Sequence, residues 1–430
     1  MNASPRRTHR VGIGRFVRFA ALVTLFSDGP RAVAGTQQPT PEGVPVGRWF
    51  LAPYLVTTYR ADSNLFRTSE DPESDTISTF RGGLMARLPV HMSLFELGYE
   101  ADKVDYAQHS FQRELVQRAA GLFRFSFSTG DELILSDTYT SGFSDVTAIN
   151  PGGELVFIGE PYDLNDADLV IRRTQPLRAG YEVQLSRVDF SFSGEFDPAQ
   201  PVPFFDYRGW EGSAEYRQPM GLNRWLTFNY AGRRFDHFVP NDPAQAGIPF
   251  RSESGDALGL GLRGQLSGGR PYFLKVGYTK YELTGETPSS LNAFVAEGEI
   301  ALPVGPQTSV RVNLTRRPFP STYDTYYLTN YLRAAAERTW RLSRVGVEAA
   351  FSYNAYGGPL LDPETGDPAT SCGLEIRRDR FLGLGTYLDW LLHPRLALRV
   401  TAGRVARESS CGGGAYDATE VFTGVRFGWF

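Results

Sequence analysis

The feature that most narrows the fold is a period-two alternation of apolar and polar residues. Phe123, Phe125 and Phe127 alternate with Arg124, Ser126 and Ser128. Val188, Phe190 and Phe192 alternate with Asp189, Ser191 and Ser193. Leu258, Leu260 and Leu262 alternate with Gly259, Gly261 and Arg263, and Val310, Val312 and Leu314 with Arg311, Asn313 and Thr315. Successive side chains of a strand point to opposite faces, so each segment has one apolar and one polar face. Many segments run roughly ten to fourteen residues, against the five or six usual in soluble sheets. Such strands suit a transmembrane barrel, whose apolar face meets lipid while the polar face lines a lumen. Trp225, Tyr272, Tyr278, Trp390 and Trp429 fall near strand ends, as aromatic girdles do.

The connections point the same way, because short and long ones alternate. Short ones include Pro89-Val90-His91, Thr129-Gly130, Ser186-Arg187, Pro219-Met220-Gly221, Gly268-Gly269 and His393-Pro394, rich in the Gly and Pro of tight turns. Long ones run from Ala61 to Asp75, Ser144 to Asp166, Asp236 to Arg251 and Gly357 to Ser371. Short periplasmic turns with long extracellular loops mark an outer-membrane barrel. The expected fold is therefore all-β: a transmembrane antiparallel up-and-down β-barrel of about eighteen strands. Around the turn at Ser186-Arg187 the expected strands are Leu169–Leu185 and Val188–Phe196. Asn330 to Trp340 is taken as strand despite its Ala334-Ala335-Ala336 run, because an odd count would put the termini on opposite sides. Leu155 to Ile158 is expected to form a short hairpin inside a loop.

Residues 1–34 read as a signal peptide. Arg6, Arg7 and Arg10 precede the apolar run Phe19 to Phe26, and Ala32-Val33-Ala34 supplies the cleavage pattern. Residues 35–47, with Pro39, Pro41 and Pro45, read as a flexible periplasmic lead-in, and 48–430 as the barrel. The chain ends in Phe430, as bacterial barrels commonly do, although Val421, Val425, Phe427 and Trp429 occupy the other parity. Export would allow Cys372 and Cys411, in the eighth and ninth long loops, to form a disulfide.

Forty-four basic residues balance 48 acidic ones, which argues against a nucleic-acid partner. No HExxH, CxxC or GxSxG motif or metal-ligand spacing occurs, so no catalytic, cofactor or metal residues are expected. Asp236-His237 lies where a strand meets an external loop, where rim proteases carry such groups; one adjacent pair is more often loop polarity. The polar parity supplies candidates for the lumen: Arg124, Asp189, Glu211, Arg217, Trp225, Arg263, Lys275, Arg311, Glu348, Tyr387, Arg399 and Arg426. Their mixed signs suit a wet lumen rather than a strongly ion-selective filter. Trp225, Phe381, Tyr387 and Phe422 could stack on sugar rings or pack beneath a loop folded into the barrel.

The stretch Tyr54-Leu55-Val56-Thr57-Thr58-Tyr59-Arg60-Ala61-Asp62-Ser63-Asn64-Leu65-Phe66-Arg67 and the acidic run Ser69 to Asp75 resemble the first strand and loop of the beta-barrel porin-2 family. Gly98 to Tyr106 is similar to that family's third strand. The family includes outer-membrane proteins of exopolysaccharide biosynthesis and export operons. The resemblance implies an outer-membrane channel exporting a polysaccharide, with membrane lipid, a polysaccharide or sugar solute, and periplasmic export and barrel-assembly machinery as partners. The alternatives are a diffusion porin for small hydrophilic solutes, a surface adhesin or receptor, and a rim enzyme.

Overall fold

The computed structural model describes residues 43–109, 115–128, 130–143, 161–175, 177–192, 206–238, 249, 251–266, 270–285, 288–321, 325–359, 372–411 and 414–428. The signal-peptide segment and the hairpin expected at Leu155 to Ile158 lie outside the described residues. Among these residues the secondary structure is all strand. A short β1 (Val44–Val46) folds back on the start of β2 (Trp49–Asp62). There follow β3 (Asp75–Val90), β4 (Ser93–Tyr106), β5 (Leu115–Ser128), β6 (Asp131–Phe143), β7 (Pro161–Arg173), β8 (Gly180–Phe192) and β9 (Asp206–Gly221). Then come β10 (Arg224–Phe238), β11 (Arg251–Leu266), β12 (Arg270–Thr284), β13 (Ser289–Pro303) and β14 (Thr308–Pro320). The last are β15 (Tyr326–Thr339), β16 (Ser343–Tyr356), β17 (Arg378–His393), β18 (Leu396–Ser409) and β19 (Tyr416–Gly428).

From β2 onward each strand pairs antiparallel with the next, and β19 pairs with β2, closing an eighteen-strand barrel. Closure matters in lipid, where an unpaired sheet edge would leave its N–H and C=O groups without partners. Strand lengths of 13 to 16 residues exceed what a tilted strand needs to cross the hydrocarbon. The Ala334-Ala335-Ala336 run is strand, inside β15. Alanine's helical preference loses there because its backbone groups bond to both neighbours.

The expected turn at Ser186-Arg187 is corrected. Both residues lie in the middle of β8, and the reversal occurs between Arg173 and Gly180. The segment Leu169–Leu185 therefore belongs to two strands. At the same short-turn end Gly130 has φ 100°, and a Cβ there would lie 2.2 Å from the Thr174 carbonyl oxygen, so this turn requires glycine.

One face of the wall carries exposed apolar side chains such as Leu55, Phe80, Leu97, Phe125, Leu258, Phe294, Val347 and Leu384. This is the outward, lipid-facing set. The inward face divides into two zones. Towards the long connections it buries aromatics: Tyr162, Phe190, Phe192, Tyr207 and Phe235 form one cluster, and Phe319, Tyr327 and Tyr356 another. Below these it carries paired charges. The inward set thus includes Val188, Phe190 and Phe192, which the alternation alone assigned to the apolar outer face; their burial is against one another inside the rim.

The seam between β19 and β2 is short, running from Glu420 opposite Asp62 to Gly428 opposite Tyr54. The connection after β2 locks its upper end. Arg67 is buried against both carboxylate oxygens of Asp62 (2.8 and 3.0 Å) and also bonds Glu420. Asn64 donates to the Thr68 and Asp417 carbonyls at 2.8 and 3.1 Å.

Candidate functional site: the inward wall

Inward orientation follows from ladder register, because directly opposed residues share a face. Glu215 is the centre of one cluster. It accepts from Arg217 Nε (2.5 Å) and Arg263 Nη1 (2.9 Å), and Lys275 Nζ lies 3.4 Å away. Arg217 also donates to Glu182 at 2.8 Å. Trp225 stands opposite Arg263 and lines, with Arg217, Arg178 and Glu299, a hollow of about 340 Å3 at the short-turn end. Arg311 approaches Glu299 at 3.6 Å.

A second cluster joins β15 to β18. Tyr387 donates to Glu337 at 2.6 Å and lies beneath Arg344, whose guanidinium carbon is 5.8 Å from the ring centroid. Asp389 accepts from Arg344 (2.6 Å) and from Arg399 (2.5 Å). Glu348 pairs with Arg333. A third cluster repeats the pattern at the seam: Tyr54 donates to Glu100 at 2.5 Å, with Arg426 stacked 5.4 Å from its ring. Arg81 grips Asp102 through two bonds of 2.6 Å, and Arg118 binds Glu100.

The two tyrosines share a device. Tyr54 lies opposite Gly83 and Tyr387 opposite Gly346, and a Cβ on either glycine would fall 2.3 Å from a ring carbon. The absent side chain lets each ring lie flat along the wall instead of projecting across the lumen.

Of the residues singled out from the sequence, Arg124, Glu211, Arg217, Trp225, Arg263, Lys275, Arg311, Glu348, Tyr387, Arg399 and Arg426 lie on the face opposite to the exposed apolar set. Asp189 does not. It faces outward beside Arg208 (2.8 Å) and Arg187 (3.9 Å), because the corrected β8 puts Tyr181, Val183 and Leu185 on its own parity. Phe381 is buried under Arg407. Asp236 and His237, being consecutive on β10, face opposite ways. Asp236 accepts from Ser252 at 2.5 Å on the outside, and buried His237 stands 3.5 Å from Glu253 within. They form no dyad.

Glu337, Tyr54 and Gly346 escaped the sequence reading. Their signal was cross-strand rather than local, since each is defined by the residue opposite it.

Above the wall, a disulfide joins Cys372 to Cys411 with Cα atoms 4.8 Å apart, tying the eighth long connection to the ninth. Beneath it Asp379 is fully buried between Arg377 (2.9 Å) and Arg407 (2.5 Å). In the connection after β4, His109 bridges Asp75 (2.7 Å) and Glu73 (2.8 Å). Burial opposes its charged form, but the two carboxylates outweigh it and hold the ring's pKa above the usual histidine value. A shallow hollow of about 810 Å3 lies on the outer wall, lined by Tyr181, Tyr216, Phe228, Tyr230, Tyr278 and Phe294. It belongs to the lipid side and not to the lumen.

No family model and no curated protein matches the chain. Solved structures do. OpdK of Pseudomonas aeruginosa with vanillate aligns over 88% of this chain and 99% of its own, with 11% identity and a TM-score of 0.51. An improved structure of the same protein, OccK1, gives 12% identity and 0.51 over the same shares. The FrpB iron transporter of Neisseria meningitidis gives 6% identity and 0.50, covering 88% of this chain and 81% of that one. At these identities the likeness is one of fold, and with the closed apolar-skinned barrel it makes the chain an outer-membrane β-barrel protein.

Proposed function

We propose that this protein is a passive outer-membrane channel for small hydrophilic solutes. The observation that carries the reading is the state of the inward charges. Arg311 keeps 50% of its side-chain exposure, Arg263 34% and Lys275 32%, so water reaches the wall between ion pairs. Both signs are present in each cluster, which favours modest ion selectivity over a strong charge filter. OpdK, of similar fold, has been seen with vanillate.

The polysaccharide-export reading rests on the family resemblance of Tyr54 to Arg67, Ser69 to Asp75 and Gly98 to Tyr106, and no family model matches the chain. Asn64 and Arg67 of the first stretch hold the upper end of the β19–β2 seam, a role that any cargo would leave to them. Delivery through a signal peptide ending at Ala34 belongs to the proposal, and N-terminal sequencing of the outer-membrane form should begin at Gly35.

Reconstitution in a planar bilayer tests the channel. Stepwise conductance is expected, with a small reversal potential in a salt gradient. Liposome swelling should fall steeply from monosaccharide to trisaccharide. A folded barrel that never conducts would refute the proposal.

A further inference from the structure

One row of the inward wall, at the short-turn end, brings two rings and a guanidinium together. Trp225 stands opposite Arg263, Arg263 opposite Phe273, and Phe273 opposite Glu299, across β10 to β13. Adjacent strands lie about 4.8 Å apart, so the two ring positions flank Arg263 at a spacing of about 10 Å. The connection after β7 bounds the same hollow with Thr174, Gln175 and Arg178. That connection is fixed to its surroundings. Thr174 N donates to the Gly130 carbonyl at 2.7 Å, and Arg217 donates to the Thr174 hydroxyl at 3.4 Å.

The charge facing this hollow of about 340 Å3 is one-sided. Arg173, Arg178, Arg217 and Arg263 line it, against Glu299 alone among the described carboxylates. Glu215 and Glu182, which pair with Arg217 and Arg263, lie outside its lining, as does Asp131, 3.5 Å from Arg173. Several lining groups are also unengaged among the described residues. Arg178 is exposed, and its guanidinium makes no hydrogen bond or ion pair. The Trp225 indole makes no hydrogen bond, aromatic pair or cation–π contact, and the side-chain amides of Gln175 and Gln265 make no hydrogen bond. Elsewhere on the wall such groups are occupied: Tyr387 and Tyr54 each hold a carboxylate and lie against an arginine. A free guanidinium fork suits a carboxylate, a free indole face suits a flat apolar surface, and free amides suit hydroxyls.

Taking the barrel as the channel proposed above, on which this site depends for its supply of solute, we infer that the hollow binds a monosaccharide carrying a carboxylate, of the hexuronate class. The carboxylate pairs with Arg178, the C–H face of the pyranose stacks on Trp225, and the hydroxyls reach Gln175 and Gln265. The hollow is at the small end of the range for small-molecule sites, about 300–1,000 Å3, which suits one ring rather than a chain. A neutral sugar forgoes the contact with Arg178. Acetate forgoes the stacking and the hydroxyl contacts, and benzoate the hydroxyl contacts.

The test is equilibrium dialysis of radiolabelled glucuronate against the folded barrel in mild detergent. Saturable binding is expected, at least about tenfold tighter than that of glucose or acetate and tighter than that of benzoate. Arg178→Gln should weaken it at least about tenfold, and Arg178→Lys less, because the charge stays while the fork is lost. Trp225→Leu should cost about fivefold. Arg341→Gln removes another exposed arginine from the same end of the barrel and should change nothing. If Trp225→Leu lacks the heat-modifiable gel shift of a folded barrel, Gln265→Ala replaces it, with a loss of about threefold. No saturable binding at millimolar glucuronate, equal binding of glucose or acetate, or tighter binding of benzoate would overturn the site. So would equal losses in Arg178→Gln and Arg341→Gln, which would trace binding to the general field of the rim. Dialysis needs no conduction, so the two readings fail separately. A barrel that binds glucuronate but never conducts keeps the site and refutes the channel; one that conducts without binding refutes the site alone.

Discussion

Replacing Cys372 and Cys411 by serine removes a cross-link between residues 39 apart in sequence. On the chain-entropy account, closing a loop of about 40 residues costs the unfolded chain about 13 cal/mol/K, or about 4 kcal/mol at 25 °C. The native side should change little. Ser410 N donates to the Arg378 carbonyl at 2.9 Å, and Arg378 N to Ser410 Oγ at 2.9 Å, so the backbone around the bridge is held independently of it. The buried Arg377–Asp379–Arg407 group lies beneath and also survives the substitution. Urea unfolding from vesicles, followed by tryptophan fluorescence, should show the midpoint falling by an amount worth about 3–4 kcal/mol. Bilayer conductance should be unchanged. A reducing agent added to wild type should give the same midpoint as the double serine variant. A loss below about 1 kcal/mol would refute the reasoning, since the bridge would then constrain no chain freedom that the unfolded state possesses.

Gly346→Ala should push Tyr387 off the wall, forfeiting its bond to Glu337 and its stacking with Arg344, at a cost of about 2–4 kcal/mol. Single-channel conductance should fall, and Gly346→Ala/Tyr387→Ala should recover it. Asp379→Asn leaves Arg377 and Arg407 buried without their counter-charge and should cost about 3–5 kcal/mol in the same unfolding assay. His109, with its pKa raised by Asp75 and Glu73, stabilises the junction fully below the unfolded value near 6.5 and loses that contribution as pH rises through the higher folded value. An NMR titration should therefore give His109 an apparent pKa above 6.5, returning towards it in Glu73→Gln.

The barrel was legible because its two strongest signals are local. Dyad alternation in Phe123 to Ser128 and the contrast between Gly268-Gly269 and the stretch Gly357 to Ser371 need no tertiary information. Local signals also explain the failure at β8. Val188, Phe190 and Phe192 make a flawless alternating run, but so do Tyr181, Val183 and Leu185 on the opposite parity. A single strand can carry both when its lower part turns apolar residues to lipid and its upper part turns aromatics inward. A turn at Ser186-Arg187 resolves that conflict locally but reverses the orientation of Asp189. The tyrosine–glycine joints were illegible for another reason: Tyr387 and Gly346 are 41 positions apart and meet only through register.

In the proposed channel the two inward zones would act on a solute in order. Ion pairs such as Arg311–Glu299 line a wetted wall, whereas Tyr327 is fully buried and Phe235 and Tyr281 nearly so. Water cannot bury a side chain, so protein lies against these rings at the long-connection end. Arg251 fits this picture, reaching the Ser321 carbonyl at 3.0 Å from three strands away along the wall. Resistances in series are governed by the narrowest one. A solute would therefore be selected by size at the packed rim before it meets the paired charges below. Neutralising Glu215, which loosens Arg217, Arg263 and Lys275 at once, should accordingly shift the reversal potential towards anions while leaving the size cut-off in liposome swelling where it was. If the size cut-off moved instead, the constriction would have to lie at the Glu215 level and the order of the two zones would be reversed.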